Sequence, residues 1–355
     1  MFHSLPLWAL LTIFLVSAGL VWVAGIYLSN SSGILAQRFH LGQALGGLIL
    51  LAFATNLPEA AIAVSGAFAA HFGIVIGNIL GGIAIQTVVL VAMDGFGIPD
   101  APFTYRAASL TLVLEGVLLL GVLAVAIMGT QLPASLIEAR LSPGALLITV
   151  LWIVGLWLTR QAQVDLPWDR KGDAPGGEPP LAVVEARQRE EAKEHSISTR
   201  RAIGVFLVAS VVTLGTGVTL QESGNDIALH FGISGVLFGS IFLAAVTSLP
   251  DLSTGLAAVK VGDYKLAFSD IFGGNAFLPM LFLVATLISG QAVLPRAQAT
   301  DIYLTSLGAL LTMVYIVGLI FRPRRQYFRL GPDSLSVLVL YLLGIFGLIA
   351  IVQGS

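Results

Sequence analysis

The chain has 355 residues, 56% of them hydrophobic and 11% charged, well below the roughly 25% charged residues of soluble domains. That composition excludes a soluble globular domain and fits an integral membrane protein. Eighteen basic and 20 acidic residues give a net charge of −2, too balanced to recruit nucleic acid, and the lack of cysteine excludes disulfides and thiolate metal sites.

A spanning helix needs about 20 mostly apolar residues, and ten segments qualify. They run from Leu7 to Leu28, Leu41 to Ala70, Gly73 to Met93, Ala108 to Met128, Pro143 to Leu158, Ala202 to Leu220, Gly235 to Val259, Leu266 to Ser289, Ile302 to Phe321 and Leu335 to Ile351. Helices are required because an open sheet would leave backbone groups unpaired in hydrocarbon. The opening MFHSLPLWALLTIFL has no basic n-region or small-residue cleavage site, so it is expected to remain as the first span.

Lysine and arginine orient the chain. With the amino terminus outside, 16 of the 18 fall in inner loops, and only Arg140 and Arg296 face out. This places both termini outside and the central loop in the cytosol. That loop, about Thr159 to Arg201, joins a turn-rich stretch, QVDLPWDRKGDAPGGEPP, to a short charged helix, VVEARQREEAKEH, and reads as a solvated tether. It divides the chain into residues 1–160, a linker over 161–200, and residues 201–355. The compact loop and absent presequence point to a bacterial inner membrane.

The two halves resemble each other. Setting Glu59 against Asp251 aligns LILLAFATNLPEA with SIFLAAVTSLPDL, and the same offset pairs GNILGGIA, from Gly77, with SDIFGGNA, from Ser269. Each half has five spans, an odd number, so the second enters the membrane inverted. The fold expected is an all-α membrane protein of ten helices in two inverted five-helix repeats, an arrangement characteristic of secondary transporters.

Glu59 and Asp251 fall near the middle of their spans, where a carboxylate costs about 2.5 to 3.5 kcal/mol on insertion scales. No lysine or arginine lies inside any span, so the two acids call for metal ions or protons. Pro58 and Pro250 lack the amide that would close the helix, which frees carbonyls one turn upstream. Thr55, Asn56, Thr247 and Ser248 add hydroxyl and amide oxygens, the all-oxygen shell that Ca²⁺ or Na⁺ prefers. A single copy could be a kinked helix with a protonated packing acid; two copies at matching depth argue for a site. The paired glycines, Gly81-Gly82 and Gly273-Gly274, are expected to let the following helix of each repeat approach closely.

The pattern A-x-x-T-[SN]-L-P-[ED], followed some two dozen residues later by a G-N-x-x-G-S-like segment and present twice, resembles the cation/Ca²⁺ exchanger superfamily, most closely its sodium/calcium exchanger branch. The resemblance covers essentially the whole chain. It implies central acids at Glu59 and Asp251, hydroxyl ligands at Thr55 and Thr247, further polar positions at Asn56 and Ser248, and carbonyl ligands at Ala52 and Ala244. It also implies that the first and sixth spans slide across a core of the second, third, seventh and eighth.

The chain departs from that pattern. Gly82 and Gly274 replace ligand serines, and the polar position four residues on is Gln86 in one half and Leu278 in the other. Asp270, on one face of the eighth span with Gly274 and Leu278, is either a compensating ligand or a hydrated vestibule residue, and its repeat mate Asn78 would then line the outer vestibule. Glu115 reads as a helix-interface or lumen-facing acid, and Asp226 and His230 as exposed loop residues. The function implied is a cation antiporter exchanging Ca²⁺, or another divalent cation, for Na⁺, with H⁺ coupling as the alternative and a non-transporting sensor or scaffold as the rival. It needs no cofactor beyond the transported ions and no covalent chemistry.

Overall fold

The computed structural model describes residues 5–39, 52–97, 101–164 and 197–354. Among them nine helices are long and apolar enough to cross a membrane: Leu7–Leu35, Phe72–Gly97, Leu110–Thr130, Pro143–Ala162, Thr199–Phe231, Gly235–Lys260, Tyr264–Ser289, Ala299–Phe321 and Pro332–Val352. These correspond to the expected first and third to tenth spans. The second is described only as Ala52–Thr55 and Leu57–Phe68, its earlier part lying outside the described residues, as does most of the central linker.

The first and sixth helices outrun their apolar cores. The first reaches Arg38 and the sixth continues to Phe231, where Gly232 ends it with φ +63°. Hydropathy ends both where serine, glutamine and acidic residues begin, but serines there bond their own helix, and Gln221 Nε2 meets His71 Nδ1 at 2.7 Å. Ser31 Oγ donates to the Tyr27 carbonyl at 2.7 Å and Ser223 Oγ to the Thr219 carbonyl at 2.5 Å. Back-bonding of this kind lets a polar stretch stay helical in an apolar setting. The two helices run along each other, joined by a 2.8 Å hydrogen bond between the Ser17 and Thr219 hydroxyls. At 1.5 Å per residue they are roughly 48 Å long, more than the hydrocarbon thickness, and therefore tilt or protrude.

The third span is the most buried of the nine and the tenth the least. Its burial rests on glycine. A Cβ at Gly77 would stand 2.6 Å from the Val236 carbonyl oxygen, and one at Gly81 2.4 Å from the Ser240 Cα. The glycines thus admit the backbone of the seventh span, from the other half of the chain, rather than the following helix of their own repeat. The seventh span carries a π-helical stretch at this contact, Gly239–Leu243.

Two tight hairpins recur in the loops. Glu138 pairs with Leu141 and Tyr327 with Leu330 across turns whose central residues, Ala139 (φ 48°) and Arg140 (φ 63°), Phe328 (φ 53°) and Arg329 (φ 68°), are left-handed. This is the geometry of a type I′ turn. Each turn lies in an Arg-Leu-x-Pro sequence whose proline, Pro143 or Pro332, opens the next helix, the position where a missing amide costs least. The two arginines expected outside have local partners: Arg140 donates to the Leu287 carbonyl at 3.2 Å, and Arg296 lies over the Phe72 ring at 4.8 Å.

Candidate functional site

The two proline-acid motifs form matching breaks. Asn56 (φ −89°, ψ 10°) separates Ala52–Thr55 from Leu57–Phe68, and Ser248 (φ −81°, ψ −3°) separates Ala244–Thr247 from Leu249–Lys260. In each lower piece the proline occupies the first turn with the acid directly after it. The proline removes the donor that the Ala54 or Val246 carbonyl would otherwise receive. The acid sits where the helix dipole favours negative charge.

The breaks bring the acids of both halves together. Glu59 is 1% exposed, Asp251 3% and Asp270 5%. The Thr247 hydroxyl lies beside Glu59, and the Thr55 hydroxyl beside Asp251, so each half supplies its threonine to the other half's acid. Thr55 also donates to Asp270 Oδ1 at 3.5 Å, and Gln86 Nε2 donates to Glu59 Oε1 at 3.5 Å. Asp251 lies close enough to feel the charges of both Asp270 and Glu59. Glu59 Oε2, Asp251 Oδ2 and Asp270 Oδ2 are buried without a hydrogen-bond partner among the described residues. Such orphaned oxygens, with no basic group among the described residues acting on them, are suited to a cation or to protons.

No group of three His, Cys, Asp or Glu among the described residues has the spacing of a metal site. A cation here would therefore draw on neutral oxygens as well as carboxylates. Some are already engaged. The Ala244 carbonyl accepts from the Thr247 hydroxyl at 3.3 Å, the Ser248 hydroxyl at 2.7 Å and the Ser248 amide at 3.1 Å. Asn56 and Thr55 lie at the break facing the eighth span, the Asn56 Nδ2 reaching within 2.9 Å of where a Cβ on Gly274 would stand. Ala52 heads the described part of its segment.

The departures from the family pattern shape the same region. Leu278, 0% exposed, brings a methyl group to 3.7 Å from the Cβ position of Gly82. It begins a 3₁₀ turn, Leu278–Met280, that splits the eighth span at Pro279 into Tyr264–Phe277 and Leu281–Ser289. In the first half Gln86 keeps a polar group and the third span stays continuous.

The structure separates the two readings of Asp270 and moves two other residues. Asp270 is buried and bonded to Thr55, so its environment is the motif cluster rather than a hydrated vestibule. Asn78 is fully buried with both amide atoms lacking a hydrogen-bond partner among the described residues, not lining an open vestibule. Asp226 lies within the sixth helix and is buried, while His230 near its end is exposed. Two buried polar contacts went unread: Asn275, whose amide donates to the Ile83 carbonyl at 3.5 Å, and Ser269, whose hydroxyl donates to Glu115 at 2.8 Å. An asparagine directly after the glycine pair was the available signal for the first.

The sequence matches the family model described as "Sodium/calcium exchanger protein" over residues 9–161 and 201–351. Among relatives, "Putative antiporter CaxA" of Alkalimonas amylolytica is 25% identical over 311 residues, covering 86% of this chain and 89% of that protein. "Inner membrane protein YrbG" of Escherichia coli (strain K12) is 23% identical over 276 residues, covering 76% and 77%. Among solved structures, an H⁺/Ca²⁺ exchanger, CAX, superposes with a TM-score of 0.63 at 16% identity, covering 96% of this chain and 82% of that one. The sodium-calcium exchanger NCX_Mj superposes with a TM-score of 0.61 at 16% identity, covering 96% and 98%. These two likenesses are likenesses of fold.

Proposed function

The chain belongs to the sodium/calcium exchanger protein family, and from that premise we propose that it is a cation antiporter exchanging Ca²⁺, or another divalent cation, for a second cation. The observation that carries this reading is the crossed arrangement of two buried acids, Glu59 and Asp251, each beside the other half's threonine. Two carboxylates balance one divalent ion, and the flanking hydroxyls and amides supply further hard oxygen ligands. The chemistry is binding and release.

For the coupling ion we take H⁺. Asp270 adds a third carboxylate that a single divalent ion leaves unbalanced, and Gly82 and Leu278 remove oxygens that a sodium site would use. A buried acid without a counter-ion neutralises itself with a proton. Na⁺, the coupling ion the sequence puts first, is the second reading, favoured by the neutral oxygens of Asn56, Ser248, Thr55 and Thr247 around the breaks.

The halves work as inverted five-span repeats, with both termini outside, the linker cytosolic, and the inner membrane of a bacterium as the setting. The first and sixth spans slide across the other helices to open the site to one side and then the other. Their approach to the motifs supports this: Gly25 of the first packs on Pro250, and Gly217 of the sixth on Pro58 and Ala61.

Reconstitution into liposomes tests the reading. Ca²⁺ uptake driven by a pH gradient alone is the expected result, and uptake that requires a sodium gradient selects the second reading. If neither gradient moves Ca²⁺, Mg²⁺ or Mn²⁺, the antiporter assignment is wrong and a sensor or scaffold takes its place.

A further inference from the structure

Glu115 stands apart from the proline-acid motifs, on the fourth span, and the two-motif site makes no use of it. Its carboxylate is 4% exposed and accepts a hydrogen bond from the Ser269 hydroxyl at 2.8 Å. Ser269 immediately precedes Asp270, which Thr55 joins to Asp251. The fourth and eighth spans therefore meet at a buried polar contact one residue before Asp270. Among the described residues Glu115 makes no hydrogen bond to a motif residue, so it stands one step outside the cation site.

Its surroundings are apolar and close-packed. A Cβ on the neighbouring Gly116 would stand 2.6 Å from Ile316 and 3.0 Å from Phe272, so these side chains press against the helix beside the carboxylate. The ionisable groups on the packed helices are Asp270, Tyr264 and the exposed Lys265 on the eighth span, Asp301, which accepts from the Gln298 amide, Tyr303 and Tyr315, bonded instead to Ser334, on the ninth, and the exposed Arg160 on the fifth. Among the described residues none of these bonds Glu115, and Ser269 alone does. A serine hydroxyl both donates and accepts, so the contact survives whether the carboxyl is charged or carries a proton. Glu115 and Ser269 are each five residues into helices that start on the side expected to face the cytosol, a depth of about 8 Å. Glu115 thus lies between that face and the central acids.

We propose that Glu115 is a second proton-carrying group of the exchanger, taking up and releasing its proton on the cytosolic side of the central acids. The proposal rests on the proton-coupled reading above. A purely structural Glu115 would tie the fourth span to the eighth and carry nothing, and Glu115→Gln separates the two roles. Glutamine keeps the shape and a hydrogen bond to Ser269 but cannot lose a proton.

The test uses the full-length protein. Proton release on Ca²⁺ addition is measured in weakly buffered detergent with a pH-sensitive dye, alongside Ca²⁺ affinity by calorimetry and Ca²⁺-coupled proton movement in liposomes. Glu115→Gln is expected to release about one proton fewer per bound cation, with Ca²⁺ affinity retained. Ser269→Ala, which keeps the acid and cuts the link, is expected to slow proton-coupled uptake severalfold without changing the amount of Ca²⁺ bound at saturation, and it carries the test if the glutamine variant fails to fold. Proton release and uptake rate unchanged in both variants overturn the proposal. So does a wild type that exchanges Ca²⁺ for Na⁺ without moving protons, a result that leaves the antiporter assignment standing. A wild type with no cation flux refutes the antiporter assignment itself, and proton release on binding still reads Glu115 directly.

Discussion

Gly25 lies on Pro250 so closely that a Cβ at Gly25 would stand 2.4 Å from the proline Cβ, and 192 positions later Gly217 lies on the first motif, its Cβ position 2.6 Å from Ala61 and 3.1 Å from the Pro58 carbonyl oxygen. Both long helices thus touch the helix breaks through a bare backbone. The proline ring is rigid and cannot turn aside, so Gly25→Ala forces the first span outward. Overpacking of this kind costs about 1 to 3 kcal/mol. The expected outcome is a lower melting temperature and a loss of Ca²⁺ flux larger than the loss of Ca²⁺ binding, because the movement, not the ligand set, is obstructed. Gly217→Ala meets the Ala61 methyl and is expected to act in the same direction. Normal flux in both variants would show that this contact does not take part in transport.

The crossed acids give a direct test of the site. Glu59→Gln and Asp251→Asn keep the volume of each side chain while removing its charge. Each is expected to weaken divalent binding by roughly a hundredfold or more, about 3 kcal/mol, as when one partner of a buried charge pair is removed. Asp270→Asn, at the acid outside the two repeated motifs and bonded to Thr55, is expected to leave a measurable Ca²⁺ affinity while changing the protons exchanged. Calorimetry on purified protein separates the three. Equal losses in all of them would make Asp270 a ligand of the same rank as Glu59 and Asp251.

The membrane class, the nine described spans and the family were legible because hydropathy over twenty residues and a duplicated T-x-L-P-acid motif are strong signals. The extra turns of the first and sixth helices were not, since Ser31 and Ser223 look like loop residues until their hydroxyls are seen to bond their own helix. The burial of Asp270, the Glu115–Ser269 bond and the Asn275 contact depend on how helices pack across more than 150 residues of sequence, and no spacing rule encodes that. The paired hairpins were readable in principle: Arg-Leu-Ser-Pro and Arg-Leu-Gly-Pro stand in both halves, but their offset differs by three from that of the motifs, which hid them from a single fixed alignment.

Asp94 is a structural residue of the same hidden kind. It is fully buried at the end of the third span, where Oδ1 accepts from the Phe103 amide at 2.9 Å and Oδ2 from the Gly331 amide at 2.7 Å. One side chain thus closes the loop before the fourth span and the hairpin before the tenth. Asp94→Ala leaves two buried amides without acceptors, an expected cost on the order of 2 to 6 kcal/mol. Asp94→Asn keeps one acceptor oxygen and is expected to fall between the alanine variant and the wild type. Thermal unfolding in detergent measures both, and a melting temperature unchanged in Asp94→Ala would show that the loops hold without this anchor.

The two missing serines differ in what their restoration demands. A Cβ at Gly82 would meet only Leu278 Cδ1, at 3.7 Å, an ordinary contact, whereas a Cβ at Gly274 would stand 2.9 Å from Asn56 Nδ2 and push that side chain away from the break. Gly82→Ser is therefore expected to fold with near-wild-type stability, and Gly274→Ser to shift Asn56. The new hydroxyl at position 82 lies one turn from Gln86, which bonds Glu59. Combined with Leu278→Asp, it adds a hydroxyl and a carboxylate beside the two motifs. The double variant is expected to gain sodium-dependent Ca²⁺ uptake in liposomes held at equal pH on both sides, with the wild type as baseline. If the wild type already shows that dependence in full, sodium binds without these oxygens and the proton-coupled reading gives way to the sodium-coupled one.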